Sequence, residues 1–362
     1  MAPLSRIFPK RSQPLHELPT AAGEDRLPLP FVPAQAQTTA TPSARDLEHQ
    51  LELYRSELTA YCYRMLGSAD AEDAVQETFL RAWRSYDRFE GRAARRSWLY
   101  RIATNVCLDM LEGRKRRARP MDLGPAREPE AANLNTLPEV TWIEPMPDGR
   151  IVPEGDPADV AVARETVRFA FVAALQHLPP RQRAVLILRD VLRWKASEVA
   201  ELLDTSVASV NSALQRARAT LEASDVTAIG TAPVVDEADA ELLARYVEAF
   251  ERYDMAALTS LIHEDATQSM PPYDLWLAGR DDILGWWVGP GAGCRGSRVI
   301  PTVAANGAPA FGQYKPRDTG EGYEPWALQV LEIEDGKIVE FTFFLDTKTV
   351  FPLFGLPLQY EA

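Results

Sequence analysis

The stretch that most constrains the fold is residues 180–221, where three runs of apolar residues at helical spacing are separated by short polar turns. The turn at residues 204–206, Asp-Thr-Ser, favours a helix cap before the last run. The pattern predicts a helix-turn-helix whose last helix turns these apolar side chains inward: Val207, Val210 and Leu214. A helical hairpin that only packs against other helices has the same spacing, so the pattern alone leaves both interpretations open.

The outward face of that last helix has the small polar and basic residues that suit a DNA major groove: Ser206, Ala208, Ser209, Ser212 and Arg216. The chain of 362 residues has a formal net charge of −13, so any DNA contact must come from local basic patches. Its 46% apolar content is enough for two or three domains.

Three widely spaced cysteines indicate reduced thiols, and no metal or cofactor is expected. There is no signal-peptide core and no apolar run of about 18 residues, so no membrane contact is expected.

Residues 45–119 have the pattern of a helical domain, after a Pro-, Ala-, Gln- and Thr-rich segment, residues 1–44, that predicts a disordered tail or a start-site extension. The first helix should end near Gly67, a suitable C-cap. The second should bury an apolar face that includes Trp83. Its other face has an acidic row, which is either an ordinary solvated face or a surface for a basic partner.

The third helix of this domain is expected to be buried through Trp98, Ile102, Val106 and Met110 and to end in a basic run at residues 114–119. Arginines alternate with aromatic residues over residues 86–101, a mixture that single-stranded DNA binding uses. Trp98 falls on the apolar stripe and is expected in the core. Phe89 and Tyr100 are expected to be more open.

The segment DAEDAVQETFLRAWRSY, followed by RRSWLYRIATNVCLDMLEGRKRR, resembles the second region of bacterial RNA polymerase sigma factors of the extracytoplasmic-function group. The segment LPPRQRAVLILRDVLRWKASEVAELL, with the helix-turn-helix, resembles their fourth region. Two motifs in the right order and at a compatible distance are specific evidence. The resemblance implies a non-enzymatic transcription factor whose partners are promoter DNA and core RNA polymerase, contacted at the β′ clamp helices and the β flap.

The resemblance also implies residue roles. The residues that match the clamp-helix docking motif are Asp73, Gln76 and Glu77. Those that match the −10 element surface are Phe89, Arg95, Arg96, Tyr100, Arg101, Asn105 and Asp109. Those that match the −35 recognition helix are Ser206, Ser209, Asn211, Ser212, Gln215, Arg216 and Arg218. Relatives often have basic residues at Asn211 and Ala213, which implies weaker, less salt-dependent DNA binding here or another base preference.

Between the two regions, residues 120–157 are rich in Pro, Glu, Asp and Gly, which predicts a linker. In the family this linker runs through the polymerase near the active-site cleft. Trp142 either follows that path or packs incidentally on a flexible tether. The fourth-region domain is expected over residues 158–224, followed by a second linker at residues 225–236.

Residues 237–362 predict an α+β domain, with helices first and then strands, and a hairpin turn at residues 334–337. The ending EFTFFLDTKTVFPLFGLP resembles the cone-shaped SnoaL-like polyketide cyclases and nuclear transport factor 2-like proteins. The expected fold class is therefore multidomain, with two all-α sigma domains, the second containing the helix-turn-helix, followed by an α+β cone-like domain.

Such a cone encloses either a plain aromatic core or a pocket for a small-molecule ligand. The candidate pocket residues are Met270, Trp276, Trp287, Trp326 and Phe343. His263 and Asp265 are expected on a surface loop, so a tethered cyclase-like enzyme is disfavoured. An ordinary helix-turn-helix repressor would not need the helices of residues 73–117. The extension is expected to regulate the sigma activity, in a direction that the sequence leaves open.

Overall fold

The structure is a computed structural model that describes residues 44–86, 89, 95–137, 142–153, 157–223, 237–317, 320 and 322–361. Three predicted segments lie wholly or mostly outside these residues: the N-terminal tail, the loop at residues 87–94 and the second linker. No helix in the described ranges has the length and apolar character needed to cross a membrane.

The first helical domain consists of α1 (Ala44–Glu52), α2 (Arg55–Leu66), α3 (Asp70–Ser85) and α4 (Arg95–Leu111). The single helix predicted before Gly67 is broken by a turn after Glu52. Gly67 ends α2 with a left-handed φ of 71°, as predicted for a glycine C-cap. Every residue of α2 from Leu58 to Leu66 is buried, because α3 and α4 pack against the helix and so do two later helices, α7 (Phe169–Gln176) and α8 (Pro180–Leu186).

Two predictions about this domain were wrong. Trp83 is 47% exposed rather than buried, since the buried side of α3 ends at Ala82. On α4 the most buried residues include Leu99, Tyr100 and Ala103, whereas Trp98 is only partly buried. The cause is that α4 packs against α2 and α3 and also against two helices of the next domain, α8 and α9 (Ala196–Leu202). A single amphipathic stripe does not describe a helix covered twice.

The second helical domain contains α5 (Asp148–Ile151), α6 (Pro157–Glu165), α7 (Phe169–Gln176), α8 (Pro180–Leu186), α9 (Ala196–Leu202) and α10 (Val207–Ala223). A π-helical turn, Ile187–Val191, continues α8. Helices α9 and α10 form the predicted helix-turn-helix, and α10 packs through Val210 and Leu214. Val207 was predicted to face inward but is 44% exposed, because packing of α10 begins only at Val210.

The C-terminal domain has α11 (Glu237–Glu251), α12 (Met255–Leu261), α13 (Arg280–Val288) and α14 (Thr347–Leu353). Its strands are β1 (Ile262–Ser269), β2 (Trp276–Ala278), β3 (Arg298–Pro301), β4 (Ala310–Pro316), β5 (Tyr323–Glu334) and β6 (Lys337–Phe344). They form one sheet in the order β2-β1-β6-β5-β4-β3, in which β1 and β6 are parallel and the other pairs antiparallel. The predicted hairpin turn is present, with Asp335 and Gly336 at φ 50° and 69°.

Both faces of this sheet are buried. One face packs against α11, α12 and α13 around the core residues Tyr246, Leu331 and Phe341. The other face joins the core of the sigma domains, and the rings of Phe344 and Phe169 are 5.4 Å apart. Burial on two sides explains why Leu328–Leu331 and Phe341–Phe344 are continuous buried runs rather than alternating ones.

The segment predicted as the first linker is packed over much of its described length. Trp142 is 3% exposed and Met146 is fully buried. The Arg117 guanidinium donates to the Trp142 carbonyl at 2.7 Å, which fixes the segment against the end of the first helical domain. In this structure the described part of the predicted linker around Trp142 and Met146 packs against the folded domains.

Candidate polymerase-binding, DNA-binding and ligand-binding surfaces

Helix α3 presents an exposed stripe of mixed character. Asp73 and Gln76 are exposed, and Leu80 and Trp83, each 47% exposed, follow on the same side of the helix. We call these four residues the docking stripe. Glu77 lies beside it and is half-buried, because its carboxylate accepts a 2.8 Å hydrogen bond from Arg81. Leu80 was not among the predicted docking residues, and Trp83 was predicted to be buried, although their spacing from Asp73 and Gln76 places all four on one side of the helix.

Helix α4 divides the residues predicted for the −10 element into two groups. Arg101, Asn105 and Asp109 lie four residues apart and form an exposed line. The Asp109 carboxylate accepts a 2.9 Å hydrogen bond from Arg81, which ties this line to α3. Arg95 and Arg96 are partly buried at the start of the helix. Phe89 is not splayed outward, since its ring lies 4.9 Å from that of Trp98.

Tyr100, predicted to be open, is instead fully buried under the second helical domain. Its ring lies 5.0 Å from the ring of Trp194, which is 6% exposed. The Arg96 guanidinium lies over both rings, at 5.3 Å and 5.6 Å from their centroids. Arg101 donates a 2.8 Å hydrogen bond to the carbonyl of Glu201 on α9. The second helical domain therefore covers part of the predicted −10 surface.

The Tyr100 hydroxyl has no hydrogen-bond partner among the described residues, although it is buried. Burial raises the pKa of this hydroxyl above its ordinary value, although the nearby Arg96 guanidinium opposes the shift, so the hydroxyl stays neutral. A buried hydroxyl in that state costs stability. The packing that covers Tyr100 thus gives its hydroxyl no well-formed hydrogen bond among the described residues.

Helix α10 presents most of the residues predicted for the −35 element to solvent. Ser206 precedes the helix, and its hydroxyl accepts a 3.1 Å hydrogen bond from the Ser209 backbone amide, as a helix cap does. The other outward residues are Asn211, Gln215 and Arg216, with Ser212 half-buried beside them.

Arg218 differs from the other residues predicted for that surface. Its guanidinium binds both carboxylate oxygens of Asp190, at 2.6 Å and 2.8 Å. The Asp190 side chain is only 6% exposed, so this pair holds α10 against the turn after α8. The structure therefore gives Arg218 a structural contact in addition to its predicted place on the DNA-facing helix.

The C-terminal domain encloses a cavity of about 250 Å³. The lining includes Met270, Trp287, Trp326 and Phe343 of the predicted set, together with Tyr273 and Trp286. Trp276 does not line it; the Trp276 indole N–H donates at 2.8 Å to the Gly124 carbonyl outside the cavity. Two residues of the first linker, Ala131 and Leu134, complete the lining, and no pattern in the sequence indicated them.

The cavity shows no acid–base set. Among the described residues that line it, none is Asp, Glu or His. His263 and Asp265 are exposed on β1, where the His263 Nδ1 accepts a 3.1 Å hydrogen bond from the Asp265 amide. The lining does include the Cys294 thiol, whose pKa burial raises, so this thiol is a poor nucleophile.

Comparisons with known proteins agree with this arrangement. Residues 51–117 match the Sigma-70 region 2 family, residues 168–221 match Sigma-70 region 4, and residues 243–341 match the SnoaL-like domain. The chain is 47% identical over 316 residues to the ECF RNA polymerase sigma factor SigG of Mycobacterium tuberculosis, covering 86% of this chain and 84% of that protein. It is 30% identical over 304 residues to SigJ of the same organism, covering 80% of this chain and 88% of that protein.

A solved structure is also similar, namely the crystal structure of the extracytoplasmic function sigma factor SigJ of Mycobacterium tuberculosis. The match has a TM-score of 0.52 and 25% identity, and it covers 86% of this chain and 99% of that one.

Two sigma domains followed by a SnoaL-like domain define a promoter-directing sigma factor with a C-terminal extension. The chain belongs to the extracytoplasmic-function RNA polymerase sigma factors. It works with core RNA polymerase and promoter DNA in transcription initiation, and it is not an enzyme. The family and the fold class predicted from the sequence are confirmed.

Proposed function

We propose that this sigma factor is restrained by its own SnoaL-like domain, which stabilises an arrangement in which the second helical domain covers the −10 surface of α4. The observation that carries the proposal is the burial of Tyr100 under Trp194, with their rings 5.0 Å apart. A residue that reads an unstacked base has to be accessible to that base. Initiation then requires α4 to separate from the second helical domain.

In this proposal the docking stripe binds the β′ clamp helices of core polymerase. The stripe combines the Asp73 carboxylate with the exposed Leu80 and Trp83 side chains, and so has both charge and an aromatic anchor. It lies away from the contacts of α4 with α9, so core polymerase can bind before the covering contact opens. The second helical domain contacts the β flap and places α10 at the −35 element, with Arg216 facing the DNA.

Buried polar contacts support the covered arrangement. Arg64 of α2 donates to the Thr166 hydroxyl at 2.8 Å and to the Thr166 carbonyl at 3.2 Å. Arg183 of α8 donates to the Met65 carbonyl and, at 2.7 Å, to Gln176. Burial lowers the pKa of both guanidinium groups to about 10, which still leaves them charged at neutral pH. Separating the two helical domains exchanges these buried contacts for water.

The SnoaL-like domain contacts the second helical domain directly. The Arg168 guanidinium donates to the Glu332 carboxylate of β5 at 2.6 Å, and the rings of Phe169 and Phe344 pack at 5.4 Å. The amide of Asn306 donates to the Val167 carbonyl at 2.7 Å and to the Tyr63 hydroxyl at 2.7 Å, and so contacts both helical domains. These contacts oppose the separation of the two sigma domains.

The cavity of the SnoaL-like domain has a role in this restraint. The aromatic cavity of the SnoaL-like domain binds a small molecule that sets the strength of the restraint. Because promoter DNA and core polymerase are in the bacterial cytoplasm, the protein acts there.

Run-off transcription with purified core polymerase, on promoters selected from a random library, tests the restraint. The full chain is compared with a chain that ends at residue 223, just before the second linker. We expect higher output from the shortened chain, since nothing then fastens the second helical domain to the sheet. Equal output at equal core binding contradicts the restraint. No binding of core polymerase by either chain contradicts the docking assignment.

Removal of a domain that shares a core with the sigma domains can damage folding, so a full-length variant completes the test. Asn306→Ala weakens the same interface without deleting the domain, and we expect it to raise run-off output as well. Circular dichroism spectra of all three proteins identify any loss of helix that would lower output for another reason.

A further inference from the structure

The cavity of the SnoaL-like domain is closed in part by the interdomain linker. Ala131 and Leu134 line it, although both belong to the segment between the two sigma domains. Pro129 of the same segment lies against α13, where a β-carbon added at Gly285 would be 3.7 Å from the proline Cγ. A change at this segment therefore changes the cavity wall.

The segment, residues 124–137, is fastened to the loop between β1 and β2. The Arg127 guanidinium binds both carboxylate oxygens of Asp274, at 2.7 Å and 3.2 Å. The Arg127 amide donates to the Trp276 carbonyl at 3.0 Å, and the Trp276 indole donates to the Gly124 carbonyl at 2.8 Å. Farther along, the Leu137 amide donates to the Pro272 carbonyl at 3.1 Å. We call residues 124–137 the linker wall.

The loop that receives the linker wall also faces the cavity. Met270 and Tyr273 both lie within this loop, and both side chains line the cavity. Thr136 of the linker wall pairs with the backbone of Tyr273, whose side chain would touch a ligand in the cavity. Docking of the linker and binding in the cavity therefore both involve Tyr273 and Leu134, which is the structural requirement for coupling.

The polar groups of the cavity define the chemistry of its ligand. Gln268 is 1% exposed, and its Oε1 accepts a 2.7 Å hydrogen bond from the Trp287 indole N–H. That bond fixes the orientation of the amide, so Nε2 is a donor, and it has no hydrogen-bond partner among the described residues. Lys315 lines the same cavity, with its ammonium 4.4 Å from the centroid of the Trp326 ring and 2.9 Å from a carboxylate oxygen of Glu324, so it keeps further N–H donors for a ligand. Aromatic walls with an amide donor and a cation suit a flat ring that carries a carboxylate.

We propose that the cavity binds a small aromatic carboxylate beneath the linker wall, and that this ligand stabilises the docked linker. The ring packs among the tryptophans and against Leu134, and the carboxylate accepts hydrogen bonds from Gln268 and Lys315. Since a ligand that contacts Leu134 binds the docked state better than the undocked one, it shifts the population toward docking. This inference rests on the proposed function, in which a docked SnoaL-like domain restrains initiation. The ligand would then inhibit transcription initiation by strengthening the restraint.

Calorimetric titration of the full-length protein with 1-naphthoate and with benzoate tests the site. We expect binding by the wild type and loss of binding in Gln268→Met, which keeps the side-chain volume and removes the donor. Arg127→Met removes an ion pair to Asp274 outside the cavity lining, and we expect it to weaken naphthoate binding about fivefold or more. The matched control is Arg298→Met, which breaks the 2.9 Å ion pair with Glu251 on another edge of the domain and should leave affinity unchanged.

Hydrogen exchange of the full chain supplies the readout of the linker itself. Naphthoate should slow amide exchange within residues 124–137 in the wild type and not in Gln268→Met. Equal affinity in Arg127→Met and the wild type would overturn the coupling and leave an ordinary pocket. If neither acid produces heat or a change in exchange up to millimolar concentration, the ligand class is wrong.

Transcription separates this inference from the proposed function on which it rests. Naphthoate should lower run-off output of the full chain and not of the chain that ends at residue 223. If naphthoate protects the linker wall but the two chains transcribe equally without ligand, the restraint fails and the ligand site stands. If the shortened chain is more active but naphthoate does not bind, the restraint stands and the ligand site fails.

Discussion

The side-chain amide of Asn306 donates a 2.7 Å hydrogen bond to the hydroxyl of Tyr63, which lies 243 residues earlier in the chain. The same nitrogen donates to the Val167 carbonyl at 2.7 Å, and the amide oxygen accepts from the Met146 amide at 2.9 Å. Asn306 is fully buried and has a φ of 55°, a conformation that asparagine tolerates better than most residues. One amide thus joins the SnoaL-like domain to both sigma domains and to the linker.

Replacement of that amide should lower the stability of the whole molecule. We expect Asn306→Ala to lower the free energy of unfolding by about 1–3 kcal/mol, because it removes the buried hydrogen bonds to the Val167 carbonyl, the Met146 amide and the Tyr63 hydroxyl. Urea unfolding measures the change. Asn211→Ala, at an exposed asparagine, should change it by less than about 0.5 kcal/mol. Equal changes in the free energy of unfolding for the two variants would show that the buried hydrogen bonds of Asn306 do not stabilise the fold.

Removal of the ring that covers Tyr100 should strengthen binding of single-stranded −10 DNA in the absence of polymerase. In Trp194→Ala the accessible state of α4 becomes more populated, and apparent affinity rises in proportion to that population. Fluorescence anisotropy with a labelled oligonucleotide measures the affinity. Addition of Tyr100→Ala to this variant should abolish the gain. An unchanged affinity in a folded Trp194→Ala protein would contradict the covering role.

The docking stripe should be needed for polymerase binding but not for folding. We expect Trp83→Ala to weaken binding to core polymerase about tenfold or more, as for an aromatic anchor in an interface, and to change stability by less than about 1 kcal/mol. Asp73→Arg combined with Glu77→Arg should also weaken it, by reversing the charge. Val288→Ala, at another exposed apolar residue, 57% accessible, is the control in the same pull-down titration. Normal core binding by Trp83→Ala would exclude the tryptophan from that interface.

Two arginines of α10 should separate DNA binding from stability. The Arg216 side chain donates to the Ser212 hydroxyl, at 3.0 Å, on an exposed surface. Arg216→Ala should therefore weaken −35 DNA binding by about 1–3 kcal/mol without lowering the melting temperature. Arg218→Ala should lower the melting temperature, because it leaves the mostly buried Asp190 carboxylate without its 2.6 Å partner. Electrophoretic mobility shifts and thermal melts of both variants give the comparison, and a reversed pattern would contradict it.

Stability should depend on pH through Glu332. Burial raises the pKa of this carboxyl group from 4.5 to about 7, although the neighbouring Arg168 opposes the shift. The folded protein therefore holds the proton more tightly than the unfolded chain does, so this contribution to stability is complete below about pH 4.5 and is lost as the pH rises through about 7.

Melting temperatures between about pH 5 and 8 check this dependence. Glu332→Gln is uncharged throughout and should remove the Glu332 part of the slope, whereas Glu334→Gln, at an exposed residue of the same strand, should not. Identical slopes for the wild type and Glu332→Gln would show that Glu332 titrates normally.

Local features of the fold could be predicted from the sequence because each depends on a few neighbouring residues. The helix-turn-helix follows from apolar spacing, and the end of α2 follows from Gly67. The hairpin at Asp335 and Gly336 needs only residues that tolerate positive φ.

The surfaces were harder to predict, because exposure depends on partners distant in the chain. Tyr100 lies in a segment where arginines alternate with aromatic residues, which favours an exposed ring, but Trp194 covers it. Trp83 falls on an apolar period, yet no element of the described chain covers it. Trp276 was predicted to line the pocket because it is an aromatic residue of the cone-like domain, but its indole N–H donates to the Gly124 carbonyl of the linker.

The kinds of element, their order and the family could be predicted from the amino-acid sequence, since helical period, caps and turns are local and the two sigma motifs are contiguous. Three features became visible in the folded chain alone: the linker forms part of the cavity, Asn306 joins three parts of the chain, and the second helical domain covers Tyr100 of the predicted −10 surface. Each of these results from packing between segments more than 90 residues apart, as in the 100-residue separation of Arg101 and Glu201. Residue spacing carries information about one helix or strand, whereas the choice of partner is made by the free energy of the whole folded chain.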